Sequence, residues 1–178
     1  MGTTRFDPAG GRGTLYLARK LGGAIMEVFD DRWGPVGSLG RSLSQSELQQ
    51  WWVTLLNIPP VKLFDATGSH LSKIGTDAQL LTGDYVTSQI WALRLMQHPA
   101  AIDGIYFASR HDPRQWNVAL FRSSTLLPEV KSITLLCDNP KTWKPSVAQK
   151  LHFGPAVRLG SHPRLKTELR RLQVALLP

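Results

Sequence analysis

The chain has 178 residues, 42% of them hydrophobic and 19% charged, with a formal net charge of +8. These values fit a single folded domain over residues 1–178 and exclude a disordered chain. No apolar run approaches the roughly 20 residues that span a bilayer. The Met1-Gly2-Thr3-Thr4-Arg5 start has no basic segment leading into an apolar one, so a cytoplasmic location is expected.

Gly10, Gly11 and Gly13 lead into Thr14-Leu15-Tyr16-Leu17-Ala18, a turn entering a predicted strand. Residues 21–29 read as a helix with Ala24, Ile25 and Val28 on its apolar face and Glu27 beside that face near the C-terminal end. A carboxylate there gains nothing from the helix dipole, which favours cations at that end. Residues 30–42, with Gly34, Pro35, Gly37 and Gly40, read as a loop, and Ser44-Gln45-Ser46-Glu47 has the capping-box spacing that starts a short helix.

Residues 51–57 and 61–65 are predicted strands separated by Pro59-Pro60, and Gly68 and Gly75 punctuate the loops beyond. Asp84 to Gln97 carries the strongest helix signal, with Val86, Ile90 and Leu93 on one apolar stripe and Pro99 ending it. Three strands follow, over 104–108, 117–121 and 133–137, and 165–177 returns to helical periodicity. Strands outnumber helices in irregular order, which predicts a mixed α+β domain rather than a doubly wound sheet.

Several chemistries are excluded by order and spacing. The glycines at 10, 11 and 13 precede a strand, whereas a phosphate-binding loop follows a strand and opens a helix. His70, His98, His111, His152 and His162 are scattered without metal-ligand spacing, so no metal is expected. Cys137 is the only cysteine, which rules out an intrachain disulfide. Ser109-Arg110-His111-Asp112 gathers the residue types of a hydrolase triad, but neighbouring side chains on an extended segment diverge and cannot relay a proton among themselves.

Arg5-Phe6-Asp7-Pro8, Leu15-Tyr16-Leu17-Ala18, Ala24-Ile25-Met26-Glu27-Val28-Phe29, the stretch from Asp103 to Pro113 and Asn117-Val118-Ala119-Leu120-Phe121 stand in series. Arg5 to Tyr16 and Tyr16 to Glu27 are each eleven residues. Together these segments, over a motif-bearing core of residues 5–121, resemble the RES-domain family.

The resemblance implies an ADP-ribosyltransferase-like fold of mainly antiparallel sheets with flanking helices. It also implies the toxin half of a toxin–antitoxin pair, whose members consume NAD by hydrolysis, phosphorolysis or ADP-ribosyl transfer. The implied partner is an antitoxin with an Xre-like DNA-binding domain, and direct nucleic-acid binding is not expected. Carried across by position, the family's arginine falls on Arg5, its tyrosine on Tyr16, its glutamate on Glu27 and its serine on Ser109, with Asn117 as a further candidate.

The residue types suit the chemistry. Cleaving ribose C1′ from nicotinamide passes through an oxocarbenium-like state, so a carboxylate at Glu27 stabilises positive charge and holds ribose hydroxyls. An Arg5 guanidinium forks onto a pyrophosphate or ribose hydroxyl, Tyr16 stacks on the nicotinamide ring, and Ser109 bonds its carboxamide or the ribose.

Relatives carry a further segment ahead of the Arg-Phe-Asp-Pro motif, whereas this sequence starts almost on it. Arg5 is therefore expected to be weakly anchored, and an inactive RES-like protein is one alternative. The other is a basic nucleic-acid or protein-binding module, resting on the basic C-terminal region 141–178, where Arg164, Lys166, Arg170 and Arg171 lie close together.

Overall fold

The computed structural model describes residues 4–8, 13–29, 40–57, 61–68, 70–110, 112–121, 152–153 and 156–178. In chain order its elements are β1 (Thr14–Ala18), α1 (Leu21–Phe29), β2 (Arg41–Ser44), α2 (Gln45–Leu48), β3 (Trp52–Val53), β4 (Leu56–Asn57), β5 (Leu63–Ala66), α3 (His70–Lys73), α4 (Gln79–Thr82), α5 (Tyr85–Met96), β6 (Gly104–Ala108), β7 (Trp116–Phe121), β8 (His152–Phe153), β9 (Val157–Arg158), α6 (Leu165–Arg171) and β10 (Val174–Leu177). A 3-10 turn, Leu159–Ser161, precedes α6. The fold is α+β, with mainly antiparallel pairing and flanking helices.

The main sheet has strand order β1-β7-β6-β5. β7 lies antiparallel between β1 and β6, and β5 runs parallel to β6. Directly opposed residues share a face of a sheet, and faces alternate along each strand. The registers Tyr16↔Ala119↔Ile105 and Ala18↔Asn117↔Phe107 therefore put these six residues on one face. A core of Phe6, Ala92, Leu95, Ile105, Phe107, Ala119 and Phe121 covers that face.

At the sheet centre Gly104 admits no side chain. A methyl there would collide with the Ala119 carbonyl and lie 3.0 Å from Leu120 Cα.

A second core gathers Ile25, Met26 and Phe29 of α1 with Leu43, Leu48, Leu165, Leu169 and Val174. The helix over 21–29 thus forms where the sequence predicts it, but its buried side differs. Gly22, Ile25, Met26 and Phe29 face inward, while Ala24 and Val28 are half-buried, because α6 and β10 pack from the other flank.

The predicted helix over 84–97 forms as α5, capped by the Asp84 carboxylate accepting from Thr87 N–H at 2.7 Å. Its apolar stripe faces outward, with Val86, Ile90 and Leu93 exposed at 42%, 54% and 38%. Ser88, Gln89, Ala92 and Leu95 are buried instead. The polar pair is acceptable inside because Ser88 Oγ donates to the Leu80 carbonyl at 2.7 Å and Gln89 Nε2 donates to the Thr4 carbonyl at 3.0 Å.

Three other expectations need correction. The C-terminal helix stops at Arg171; Gln173 takes φ 57°, and 174–177 form β10, parallel to β2 in the register Val174↔Arg41. β2 itself opens within the expected loop over 30–42, whose residues 30–39 lie outside the described residues. The strand over 51–57 divides into β3 and β4 because each half takes a different antiparallel partner, β9 and β8.

The capping box forms as expected, with Ser44 Oγ accepting from Glu47 N–H at 3.1 Å. The strand over 133–137, with Cys137, lies outside the described residues. Among the described residues no helix is long and apolar enough to cross a membrane.

Candidate functional site

The segment around Arg5 crosses the face of the main sheet that carries Tyr16. Phe6 is fully buried, its ring 6.4 Å from Tyr16 in stacked geometry and 5.2 Å from Phe107 edge-on. Its backbone is tied down at both polar groups: Phe6 N–H donates to the Tyr16 hydroxyl at 2.7 Å, and Thr14 Oγ1 donates to the Phe6 carbonyl at 2.7 Å. These bonds fix the backbone from which Arg5 projects.

Arg5 is firmly held, contrary to the expectation of weak anchoring. Its Nη1 donates to the Gly83 carbonyl at 2.8 Å and to Ser88 Oγ at 3.1 Å, and the guanidinium lies 4.7 Å from the centre of the Tyr85 ring. Burial lowers the Arg5 pKa, with Tyr85 opposing that effect and Arg110 adding to it, and a guanidinium still stays charged at neutral pH. Its N-H groups other than those on Nη1 have no acceptor among the described residues.

Burial pushes the Tyr16 phenol up to about 12, so its hydroxyl stays protonated. The ring packs edge-on against Phe107 at 6.5 Å as well as against Phe6. In this structure Tyr16 positions the segment that carries Arg5.

Glu27 is exposed on α1, yet its Oε1 accepts a hydrogen bond from Asn117 Nδ2 at 2.7 Å. Asn117 is 2% exposed and sits in the centre strand on the Tyr16 face. The two residues meet because α1 comes in close at Gly23, where a methyl would already touch Gln115 Cβ at 3.4 Å and Ala18 Cβ at 3.5 Å. Asn117 Oδ1 is buried and has no hydrogen-bond donor among the described residues.

Ser109 is 2% exposed, one residue beyond β6. Its N–H donates to the Gln115 carbonyl at 2.9 Å, which extends the β6–β7 pairing and gives Ser109 the strand parity of Phe107. The sheet thus aligns Tyr16, Asn117 and Ser109, Asn117 brings in Glu27, and Phe6 ties in Arg5.

Asp112 belongs to a structural brace. Hydrogen bonds from Arg114 hold its carboxyl down to about 2, against the opposing effect of burial. Arg114 Nε lies 2.9 Å from Oδ1, and Arg171 Nη1 lies 3.9 Å from Oδ2. Arg171 also pairs with Glu168 at 2.9 Å, and the ends of these two side chains lie directly against Gly22 of α1, so a side chain there would have to displace them. The carboxylate of the Ser109-to-Asp112 stretch is therefore committed to arginines, while His111 lies outside the described residues.

Reading the sequence missed Ser88, Gln89 and Tyr85 as supports of the Arg5 segment. The signal available for them was the Asp84 cap, which sets the register of α5. Among the described residues no group of three His, Cys, Asp or Glu side chains is placed to hold a metal ion.

The RES domain family profile matches residues 1–137, a span that includes Arg5, Tyr16, Glu27, Ser109 and Asn117. No curated protein matches the chain. α6 and β10 lie beyond the matched span, yet they supply much of the apolar surface on which α1 rests. With most of its length matched, and all five candidate residues inside the match, the chain belongs to the RES-domain family.

Proposed function

We propose that this protein cleaves the nicotinamide–ribose bond of NAD. The observation that carries the reading is the Glu27 carboxylate, open to solvent on one side and held at 2.7 Å by the buried Asn117 amide, at the sheet face that bears Tyr16 and Ser109. An accessible carboxylate with one fixed oxygen suits an oxocarbenium-like transition state.

In the reaction the C1′–N bond breaks with its electron pair going to the nicotinamide ring, which leaves as a neutral base. Glu27 stabilises the positive charge that develops on the ribose. Water, phosphate or a protein side chain then adds at C1′ and loses a proton; the three outcomes share the first step and differ in the acceptor. The remaining N–H groups of Arg5 bind the pyrophosphate, and the neutral Tyr16 keeps the Arg5 segment in place.

The same reading makes the protein a cytoplasmic toxin neutralised by an antitoxin with an Xre-like DNA-binding domain. A basic nucleic-acid-binding module is less well supported, because Arg171 of the basic stretch is spent on Glu168 and Asp112. The test is incubation of the purified protein with NAD, with and without phosphate and with cell extract. Nicotinamide release is expected, and the co-product identifies the acceptor.

A further inference from the structure

Asn117 is a costly residue at its position. β7 continues from it as Val118-Ala119-Leu120-Phe121, all buried and apolar, and Asn117 is as buried as they are. Its amide nitrogen donates to Glu27, and its Oδ1 is buried without a donor among the described residues. An unsatisfied buried acceptor destabilises the folded state, whereas an apolar side chain of similar shape carries no such penalty. Fold stability alone therefore does not explain an asparagine here.

What the amide achieves is confined to Glu27. A glutamate on an exposed helical face has three side-chain torsions to settle, and ordering such a chain costs conformational entropy. A donor fixed in the centre strand of a sheet removes that freedom before substrate arrives. It leaves the other carboxylate oxygen for the ribose.

We infer that Asn117 is the positioning residue for Glu27, present for the orientation of that carboxylate and at the expense of fold stability. The inference rests on the NAD-cleaving reading for its kinetic consequence, while the Asn117–Glu27 clamp can be tested without substrate.

Asn117→Leu keeps the branched shape of the side chain and removes both the clamp and the unsatisfied oxygen. It is expected to melt at or above the wild-type temperature while kcat for nicotinamide release falls about tenfold to a hundredfold, with KM little changed. A wild-type kcat, or a loss of activity that merely follows a loss of folded protein, overturns the inference.

Asn117→Asp keeps the shape but sets a second carboxyl against Glu27, repelling it when ionised and donating to it when protonated. Activity of that variant is expected to recover as pH falls, and a pH profile that parallels wild type overturns the inference. The clamp itself is read by NMR from the side-chain amide resonances of Asn117. A shift on Glu27→Ala supports it even if wild type releases no nicotinamide, the outcome that would defeat only the NAD reading; unchanged resonances overturn it.

Discussion

Arg5 Nη1 donates to the Ser88 hydroxyl at 3.1 Å across 83 positions of sequence, joining the chain's first described segment to the buried side of α5. Ser88 is fully buried and its Oγ also donates to the Leu80 carbonyl at 2.7 Å. The hydroxyl thus serves two partners at once. Ser88→Ala leaves the Leu80 carbonyl without that donor and is expected to cost about 1–3 kcal/mol. Urea unfolding reads this directly, and an unchanged midpoint would contradict the role assigned to Ser88.

Tyr16 links the same segment to alkaline stability. Burial holds its phenol up to about 12, whereas a phenol in the unfolded chain ionises near 10. Between those values the folded state binds the extra proton, so its contribution is complete below about pH 10 and declines as pH rises through about 12. Tyr16→Phe is expected to flatten that alkaline slope. At neutral pH it also leaves Phe6 N–H without its acceptor, at about 1–3 kcal/mol. Unfolding measured across a pH series, with a variant slope equal to wild type, would refute the assignment.

Asp112 does the same at the acid end. Its carboxyl, only 7% exposed, is held down to about 2, below the roughly 3.9 of an unfolded aspartate. The stability it contributes is therefore present above about pH 4 and lost as pH falls through about 2. Asp112→Asn is expected to be less stable at neutral pH by about 2 kcal/mol and to show a shallower acid transition. Equal acid slopes in the two proteins would show that Arg114 and Arg171 do not hold this carboxylate.

The parts of this fold that were legible in the sequence are those decided locally. β1 follows Gly13, which takes φ 82°, α5 begins at an aspartate cap, and α2 begins at a capping box, so neighbouring residues set their ends. Side-chain burial on α5 was not legible, because Ser88 and Gln89 take partners from Arg5 and Thr4, more than eighty residues away. With those partners in place the polar side turns inward and the apolar stripe outward. β10 was misread for the same reason: its leucines fit helical spacing, and only pairing with β2 makes them a strand.

The candidate site divides along the same line. Glu27 and Tyr16 stand out through the family resemblance, and their elements form as the sequence predicts. The bond between Glu27 and Asn117 depends on α1 closing against the sheet at Gly23, a tertiary contact that no local pattern encodes. Residues beyond the family match complete it, since Leu165 and Leu169 of α6 share a core with Ile25, Met26 and Phe29.

The most direct measurement is nicotinamide release from NAD by wild type and by Glu27→Gln, which keeps the shape of the side chain and removes its charge. Wild type is expected to release nicotinamide, and the variant to do so about 100-fold to 1,000-fold more slowly while remaining folded. A variant as fast as wild type would contradict the role of Glu27. Wild-type protein that leaves NAD intact with and without phosphate, and transfers no ADP-ribose to protein in cell extract, would contradict NAD cleavage itself.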